Sequence, residues 1–355
     1  MMERKDEGLG FLLQYQNIAW YEDGCVRILD RRIFPVEVKF VECRRHEEVA
    51  KAIYDMVTQS GGPYVAAAMG MSLAAKEAED LGEEAFRAYM EKAAYTLSHA
   101  RPTTVTNMVK VTDGSLKAMD AALKSGRSIK EMPETLRDVA VEYLNENVEE
   151  CDRVAFYLAD KVPHNGTIMT QCYAETVIGT LLRELRKRGN TGVKMVCPET
   201  RPYYQGARLT ASLCCSMGFD TTVITDNMPG YALNQLNVDL FTSAADMICV
   251  DGHVVNKVGT FQIANMAHYW GIPYYTTGNP TAAHPTIDTV KIEMRDPELV
   301  LESMGYKHTM EGVKGWYPAF DITPPKLISG IATDKGIYSP YNLQRYFTDP
   351  FQELK

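Results

Sequence analysis

The sequence lacks the short motifs that would announce a metal or nucleotide site. It has no Cys-x-x-Cys pair and no His-Glu-x-x-His pair, so the usual structural zinc cages and zinc hydrolase helices are not supported. It has no Gly-x-x-x-x-Gly-Lys-Ser/Thr element, which removes support for a P-loop nucleotidase. No Gly-x-Gly-x-x-Gly follows the first strand of the second half, so a dinucleotide enzyme is not favoured. Long apolar runs are also missing. The longest, Tyr64 to Ala75, falls far short of the ~20 residues that span a bilayer. The polar start Met1-Met2-Glu3-Arg4-Lys5-Asp6 has no signal core. A soluble, cytoplasmic protein is expected. Its eight cysteines among 355 residues are too sparse for a secreted disulfide framework. Basic charge is in deficit, with 37 Lys+Arg against 46 Asp+Glu and a net charge of −9. That balance argues against adhesion to nucleic acid or anionic membranes. A local basic patch could still hold a phosphorylated small molecule.

What is present is enough for about two domains, at ~150 residues each. Hydrophobic residues make up 45% of the chain, and no internal repeat is visible. The first part reads as short strands, Asn17–Tyr21 and Cys25–Leu29, around the turn Glu22-Asp23-Gly24. Helices follow at His46–Thr58, Ser72–Ala94 and Thr112–Ser125 by their apolar spacing. Glu134 to Lys161 has helical periodicity without internal Pro or Gly and reads as a helix joining two domains. From Thr167 the rhythm changes to strands alternating with helices, which predicts a parallel sheet covered on both faces. The expected division is a mostly helical domain at 1–133, a connecting helix at 134–163 and a Rossmann-like α/β domain at 164–355. In such a sheet ligands sit beyond the carboxyl ends of the strands.

The loops at those ends carry the candidate chemistry. Cys172 follows the strand Thr167–Gln171 and precedes a helix whose N-terminus can favour a thiolate. A buried, inert thiol is the other reading. The segment Glu199–Arg208 offers arginines and Gln205 to phosphate or hydroxyls, or else is a solvated loop. Asp246 follows the strand ending near Ser243 and reads as an acid or as a helix cap. Asn256-Lys257 is expected to open a helix and so to cradle phosphate. The Cys214-Cys215 pair reads as core thiols, and His268 as a satisfied core histidine. The seven histidines show no metal-ligand pairing.

Taken together these segments form one pattern. Asp30–Pro35, Gly61-Gly-Pro63, Ala100–Thr103, Thr170-Gln-Cys172, Glu199–Thr210, Ala245-Asp246, Asn256–Thr260 and Asp321–Pro325 resemble the methylthioribose-1-phosphate isomerase family. That family also embraces ribose-1,5-bisphosphate isomerases and regulatory subunits of a translation exchange factor. The resemblance covers about residues 15 to 340, and Glu-Thr-Arg-Pro-x-x-Gln-Gly-Ala-Arg-Leu-Thr is its most specific element.

The resemblance implies an α/β enzyme that turns an aldose 1-phosphate into a ketose 1-phosphate without metal or organic cofactor. It places the catalytic cysteine at Cys172 and the catalytic aspartate at Asp246. Substrate positions fall at Ser60, Gly61, Gly62, Arg101, Gln205, Asn256 and Lys257. It also implies a homodimer through the second domain and a small phosphorylated sugar as the partner. The pattern departs at Ser60, where the family has arginine, and at Gln171, Tyr173, Ala174 and Glu175 around the cysteine. Met247 stands where an arginine usually follows the aspartate. In the implied reaction Asp246 protonates the ring oxygen, which requires a raised pKa from apolar walls and no directly paired arginine. Hydrogen then moves from C2 to C1, with Cys172 taking either the C2 proton or, in a hydride shift, the C2 hydroxyl proton. The alternative is a non-catalytic sugar-phosphate or nucleotide sensor like the exchange-factor subunits.

Overall fold

The computed structural model describes residues 3–101 and 105–350. The chain divides into two compact units, residues 1–149 and 150–355. In the first unit, β1 (Ala19–Glu22), β2 (Cys25–Leu29) and β3 (Phe40–Cys43) form an antiparallel sheet. Helices α1 (His46–Tyr54), α2 (Gly62–Glu77), α3 (Glu83–Ser98), α4 (Val105–Lys124) and the start of α5 (Met132–Ala159) follow. The unit boundary falls inside α5.

Helix α2 is the apolar run Tyr64–Ala75. Its alanines favour helix, Pro63 fits the first turn, and it is buried nearly all round. The single helix expected over Ser72–Ala94 is instead two, α2 and α3. The chain breaks at Ala78–Gly82, where Gly82 is extended at ψ 157°. Polar residues and a glycine there offer too little helix propensity to bridge the gap.

The second unit alternates as expected. Its elements are β4 (Thr167–Thr170), α6 (Glu175–Lys187), β5 (Lys194–Pro198), α7 (Ala211–Ser216), β6 (Asp220–Ile224), α8 (Pro229–Gln235), β7 (Leu240–Ala244), β8 (Met247–Ile248), β9 (Val254–Lys257), α9 (Thr260–Trp270) and β10 (Tyr274–Thr277). After these come α10 (Glu298–Leu301), β11 (Glu302–Ser303), β12 (Tyr306–Lys307), β13 (Phe320–Thr323), β14 (Gly330–Thr333), β15 (Gly336–Tyr338) and α11 (Gln344–Thr348). Among the described residues the main sheet has the order β15-β14-β10-β7-β4-β5-β6. All its pairings are parallel except β14 with β15.

Strands β5 and β6 build outward on one side of β4, whereas β7, β10 and β14 build outward on the other. The order therefore reverses between β4 and β7, which pair Thr170 with Thr242. Met169, Val196, Phe241, Tyr274 and Ile331 fill the core around these strands. The Phe241 and Tyr274 rings stack at 4.5 Å. Helix α6 covers the sheet with Ile178, Leu181, Leu182 and Leu185, the helical i, i+3, i+4, i+7 stripe.

Several local expectations are corrected. Asn256 and Lys257 do not open a helix. They end β9, which pairs antiparallel with β13. Helix α9 starts only at Thr260, after Gly259 at φ 103°, a conformation glycine adopts without steric cost. His268 is exposed on α9 rather than buried in the core. Cys214 is a core thiol, but Cys215 beside it is exposed, because adjacent helical residues point in different directions.

Gly70 on α2 marks a close helix crossing. A Cβ there would lie 2.9 Å from Leu97 and 3.2 Å from Val49. Gly70→Val should therefore overpack this contact and cost about 1–3 kcal/mol. Equilibrium urea unfolding measures the loss, and an unchanged midpoint would show that the helices separate freely.

Candidate functional site

Cys172 and Asp246 follow the two strands that flank the reversal. In doubly wound sheets the crossovers on either side of such a reversal diverge and leave a crevice above the strand ends. Cys172 sits two residues beyond β4 and Asp246 two beyond β7. Asp246 is not a helix cap. It lies between β7 and β8, and its backbone N–H donates to the Val255 carbonyl at 2.9 Å.

The backbone at Cys172 takes φ 61°, in the left-handed region. This costs a non-glycine residue on the order of 1–3 kcal/mol and persists only where surroundings enforce it. Here the Cys172 N–H donates to Thr200 Oγ1 at 3.2 Å, and Thr210 Oγ1 donates to the Cys172 carbonyl. Thr200 and Tyr204 are also at positive φ, 62° and 57°. The segment then makes one turn of π-helix at Gly206–Thr210 before α7. Gly206 is required there, since a Cβ would fall 1.8 Å from the Pro198 carbonyl oxygen. Gln205 leads into this turn, and its Oε1 is buried with no hydrogen-bond partner among the described residues. A buried, unmatched acceptor at such a place suits a ligand hydroxyl.

Lys257 ends β9 almost wholly buried, 5% exposed. Its Nζ lies 4.7 Å from the centre of the Phe320 ring. Asn256 beside it donates from Nδ2 to Thr260 Oγ1 at 3.1 Å, and that hydroxyl donates to the Lys257 carbonyl at 2.7 Å. Asp321 accepts the Gly259 N–H at 2.7 Å and the Phe261 N–H at 3.1 Å. It thereby caps α9 and fixes the turn that carries Lys257.

These groups share one electrostatic environment. Burial is the largest influence on the Cys172 thiol and pushes it up to about 11, against the pull of Lys257 and Arg295. Of the two readings of this cysteine, that favours the buried thiol over the helix-favoured thiolate. The first turn of α6 also carries acidic Glu175, which offsets the helix dipole. Desolvation likewise raises Asp246 to about 6, with Lys257 and Arg295 opposing. Asp246 is nonetheless exposed, so the expected burial between apolar walls is corrected to a place in an open crevice. Burial also lowers Lys257.

The structure therefore brings Cys172, Asp246 and Lys257 into one electrostatic cluster, with Asn256 beside it on β9. Gln205 lies close in the Thr200–Gly206 loop that holds Cys172. Ser60, Gly61, Gly62 and Arg101 belong to the other unit. Gly62 begins α2, and Ser60 is exposed at φ 57°. There Arg31 is fully buried and donates to the Gln59 carbonyl at 2.6 Å. Arg101 is half-buried beyond the end of α3.

Residues that sequence reasoning missed include Arg295, Glu293, Tyr203, Tyr317 and Phe320. Arg295, Glu293 and Tyr317 come from irregular segments that no short motif marks, whereas Tyr203 lies inside the Glu199–Thr210 element and Phe320 directly before Asp321–Pro325, without a role that either motif assigns. A cavity of about 190 Å³ adjoins the cluster. Pro202, Val258, Val300, Trp316, Tyr317 and Pro318 supply its apolar walls. Arg201 also lines it, but donates to the Glu302 carbonyl at 2.8 Å. A separate group, His46, Glu47 and Glu77, has metal-ligand composition. Its Glu77 already accepts the His46 N–H at 2.7 Å and the Tyr89 hydroxyl at 2.8 Å, so it reads as a structural pair that caps α1.

Comparison with known proteins is consistent in both sequence and fold. A family model described as the initiation factor 2 subunit family matches residues 59–340. The methylthioribose-1-phosphate isomerase of Thermosipho africanus (strain TCF52B) is 33% identical over 355 residues, 95% of this chain and 99% of that protein. The protein of the same name from Desulfitobacterium hafniense (strain DSM 10664 / DCB-2) is 35% identical over 343 residues, 92% of this chain and 96% of its own. Among solved structures, 5-methylthioribose 1-phosphate isomerase from Pyrococcus horikoshii OT3 has a TM-score of 0.83 at 28% identity, covering 94% of this chain and 95% of that one. The delta subunit of translation initiation factor eIF-2B from A. fulgidus has a TM-score of 0.83 at 30% identity, covering 94% and 99%.

The raised Asp246 pKa has a consequence for stability. Its folded value of about 6 exceeds the ordinary ~3.9. The folded state is therefore penalised for ionising this group as pH rises through 6. Asp246→Asn should melt higher than the parent at pH 8, and the two should converge below pH 4, where both states are protonated. Calorimetric melting across this range tests the sign. A lower midpoint for the variant at pH 8 would show that Asp246 is stabilised as a carboxylate.

Proposed function

The chain belongs to the initiation factor 2 subunit family, and on that premise we propose that it is an aldose–ketose isomerase acting on a 5-substituted ribose 1-phosphate. The observation that carries this reading is the placement of Cys172 and a proton-holding Asp246 on either side of the strand reversal. Methylthioribose 1-phosphate is the favoured substrate, and methionine salvage in the cytoplasm the favoured setting. The apolar cavity beside Tyr317 and Val258 supports a substrate with an apolar 5-substituent over one with a second phosphate. Among the described residues no helix is long and apolar enough to cross a membrane.

A phosphate on C1 prevents the sugar from opening as a free hemiacetal does. The ring oxygen must take a proton while its bond to C1 breaks. Asp246, raised to about 6, retains a protonated fraction near neutrality and is the donor in this reading. Lys257 and Asn256, with Gln205, hold the phosphate and hydroxyls.

The state of Cys172 bears on the next step. A thiol near 11 is almost wholly protonated at pH 7 and is a poor acceptor for the C2 proton. A hydride moving from C2 to C1 avoids that demand. As the C2–H pair transfers to C1, the C2 hydroxyl becomes a carbonyl and releases its proton. Asp246, emptied by ring opening, can take that proton back and is restored. Cys172 then works as a neutral thiol, whose S–H can donate to the C2 oxygen.

The second reading is a non-catalytic sensor, favoured by the equal TM-score of the delta subunit. The substrate test separates the two. Purified protein should convert 5-methylthioribose 1-phosphate, with 5-phospho- and unsubstituted ribose 1-phosphates as poorer substrates. Binding without turnover across the panel would favour the sensor. With deuterium at C2, the product should keep the label at C1 in ordinary water, and washout would instead support proton transfer through Cys172. Asp246→Asn should abolish turnover while leaving substrate affinity within a few-fold.

The homodimer is proposed through the second unit. Met228, Tyr231, Phe261, Tyr269 and Trp270 are exposed on and around α8 and α9, and Trp270 Nε1 donates to the Gly230 carbonyl at 2.9 Å. Exposed aromatic surface of this kind suits a protein interface. Sedimentation equilibrium should return twice the 39.8 kDa chain mass. Tyr231→Glu should shift it to monomer, and a monomeric parent would remove the proposal.

A further inference from the structure

The segment Glu293–Arg295 has no regular secondary structure beyond one bridge, Met294 with Pro318. It is nevertheless pinned at both ends. The Arg295 N–H donates to the Tyr317 carbonyl at 2.9 Å, and the Ala319 N–H donates to the Glu293 carbonyl at 2.8 Å. The side chains are paired as well. Arg295 Nε and Nη2 donate to the two Glu293 oxygens at 3.1 and 3.4 Å. The guanidinium lies 5.9 Å from the Tyr203 ring centre and 5.7 Å from that of Phe320. Lys257 Nζ rests on the same Phe320 ring at 4.7 Å.

Two cations on one aromatic ring repel each other, and only a fixed scaffold keeps both there. The Arg295 side chain is 16% exposed, so solvent screens its charge only in part. We propose that Arg295, locked by Glu293 against the Phe320 ring, is a positioning residue that holds a second fixed positive charge beside Lys257 at the crevice of Cys172 and Asp246.

The groups around it define the sign. Cys172 feels Lys257 and Arg295 as cations, with Asp246 opposing them. Asp246 feels Lys257 and Arg295, with Glu293 opposing. Tyr317 faces both Arg295 and Cys172, and Tyr203 faces Arg295. Burial raises the Tyr317 hydroxyl to about 12, so it carries no charge near pH 7 and leaves Arg295 and Lys257 as the positive poles. Position 247, directly after Asp246, is methionine, so the second cation reaches the crevice from a remote segment.

The inference rests on the isomerase reading only for its effect on turnover. Its effect on Cys172 can be read without substrate. Iodoacetamide reacts with thiolate, so its rate at a fixed pH follows the ionised fraction. In intact protein at pH 8.5, the Cys172 peptide should label roughly threefold or more slowly in Arg295→Met than in the parent, since a nearby opposite charge favours the charged form. Labelling of exposed Cys215, followed in the same mass-spectrometric run, should stay constant. Arg295→Lys keeps the charge and should restore most of the Cys172 rate. If the enzyme turns over substrate, the pH at which activity is lost should move upward in Arg295→Met, because Asp246 then holds its proton longer.

Glu293→Gln supplies a test of opposite sign should Arg295→Met fail to fold. Removing the countercharge should make Cys172 label faster. Unchanged labelling in a folded Arg295→Met protein would overturn the proposal, as would slower labelling in Glu293→Gln. Normal turnover loss without a labelling change would also overturn it, while a labelling change without any turnover would instead defeat the isomerase reading.

Discussion

The reversal of strand order between β4 and β7 is the constraint on which the site depends. Both strands are buried throughout or nearly so, so neither can carry an ionisable side chain without a large desolvation cost. The first positions free of that restriction lie just past the strand ends, where Cys172 and Asp246 stand. The loops there cannot be ordinary turns. Cys172, Thr200 and Tyr204 take left-handed backbone, and Gly206 lets the chain pass against the Pro198 carbonyl. Such strain is tolerated because the surrounding hydrogen bonds leave few alternatives. The sheet thereby turns a topological feature into a mounting for two ionisable groups.

Burial then acts on both groups in the same direction with different chemical results. It disfavours charge, so it raises the thiol and the carboxyl together. For Asp246 this is an advantage, since an acid must hold its proton near the working pH. For Cys172 it is a handicap as a base. Lys257 and Arg295 oppose burial at both positions, so the balance between low dielectric and nearby cations decides how many protons the crevice holds. Among the described residues these cations have only Glu293 in close pairing, and the resulting positive bias suits a phosphorylated ligand.

Legibility in the sequence followed the range of the interactions involved. Helix α6 follows Cys172 as expected, because the apolar stripe that forms it lies within thirteen residues. The parallel strands were visible as short apolar runs, and the positions after them pointed to Cys172 and Asp246. Strand β9 was not visible. Val254–Lys257 looks like the approach to a helix, and becomes a strand only by pairing with Phe320–Thr323, a partner far along the chain. The same distance hid Arg295, whose place on the Phe320 ring depends on that pairing. The state of Cys172 stayed open between a thiolate and a buried thiol, because helix proximity is local and burial is a property of the whole packed unit.

The likeness to both an isomerase and a translation-factor subunit at a TM-score of 0.83 follows from this division of labour. The sheet, the reversal and the capped α9 turn create a crevice with a positive bias, which is a binding property. Catalysis needs more: a carboxyl that keeps its proton and a group beside C2 that does not compete for it. Those requirements fall on a few atoms past the ends of β4 and β7, where side chains can change without disturbing the core. Fold alone therefore does not separate an enzyme from a sensor. In this chain the feature that favours the enzyme reading is Asp246, because its raised carboxyl lowers stability above pH 6, a cost that a proton-donating role would account for.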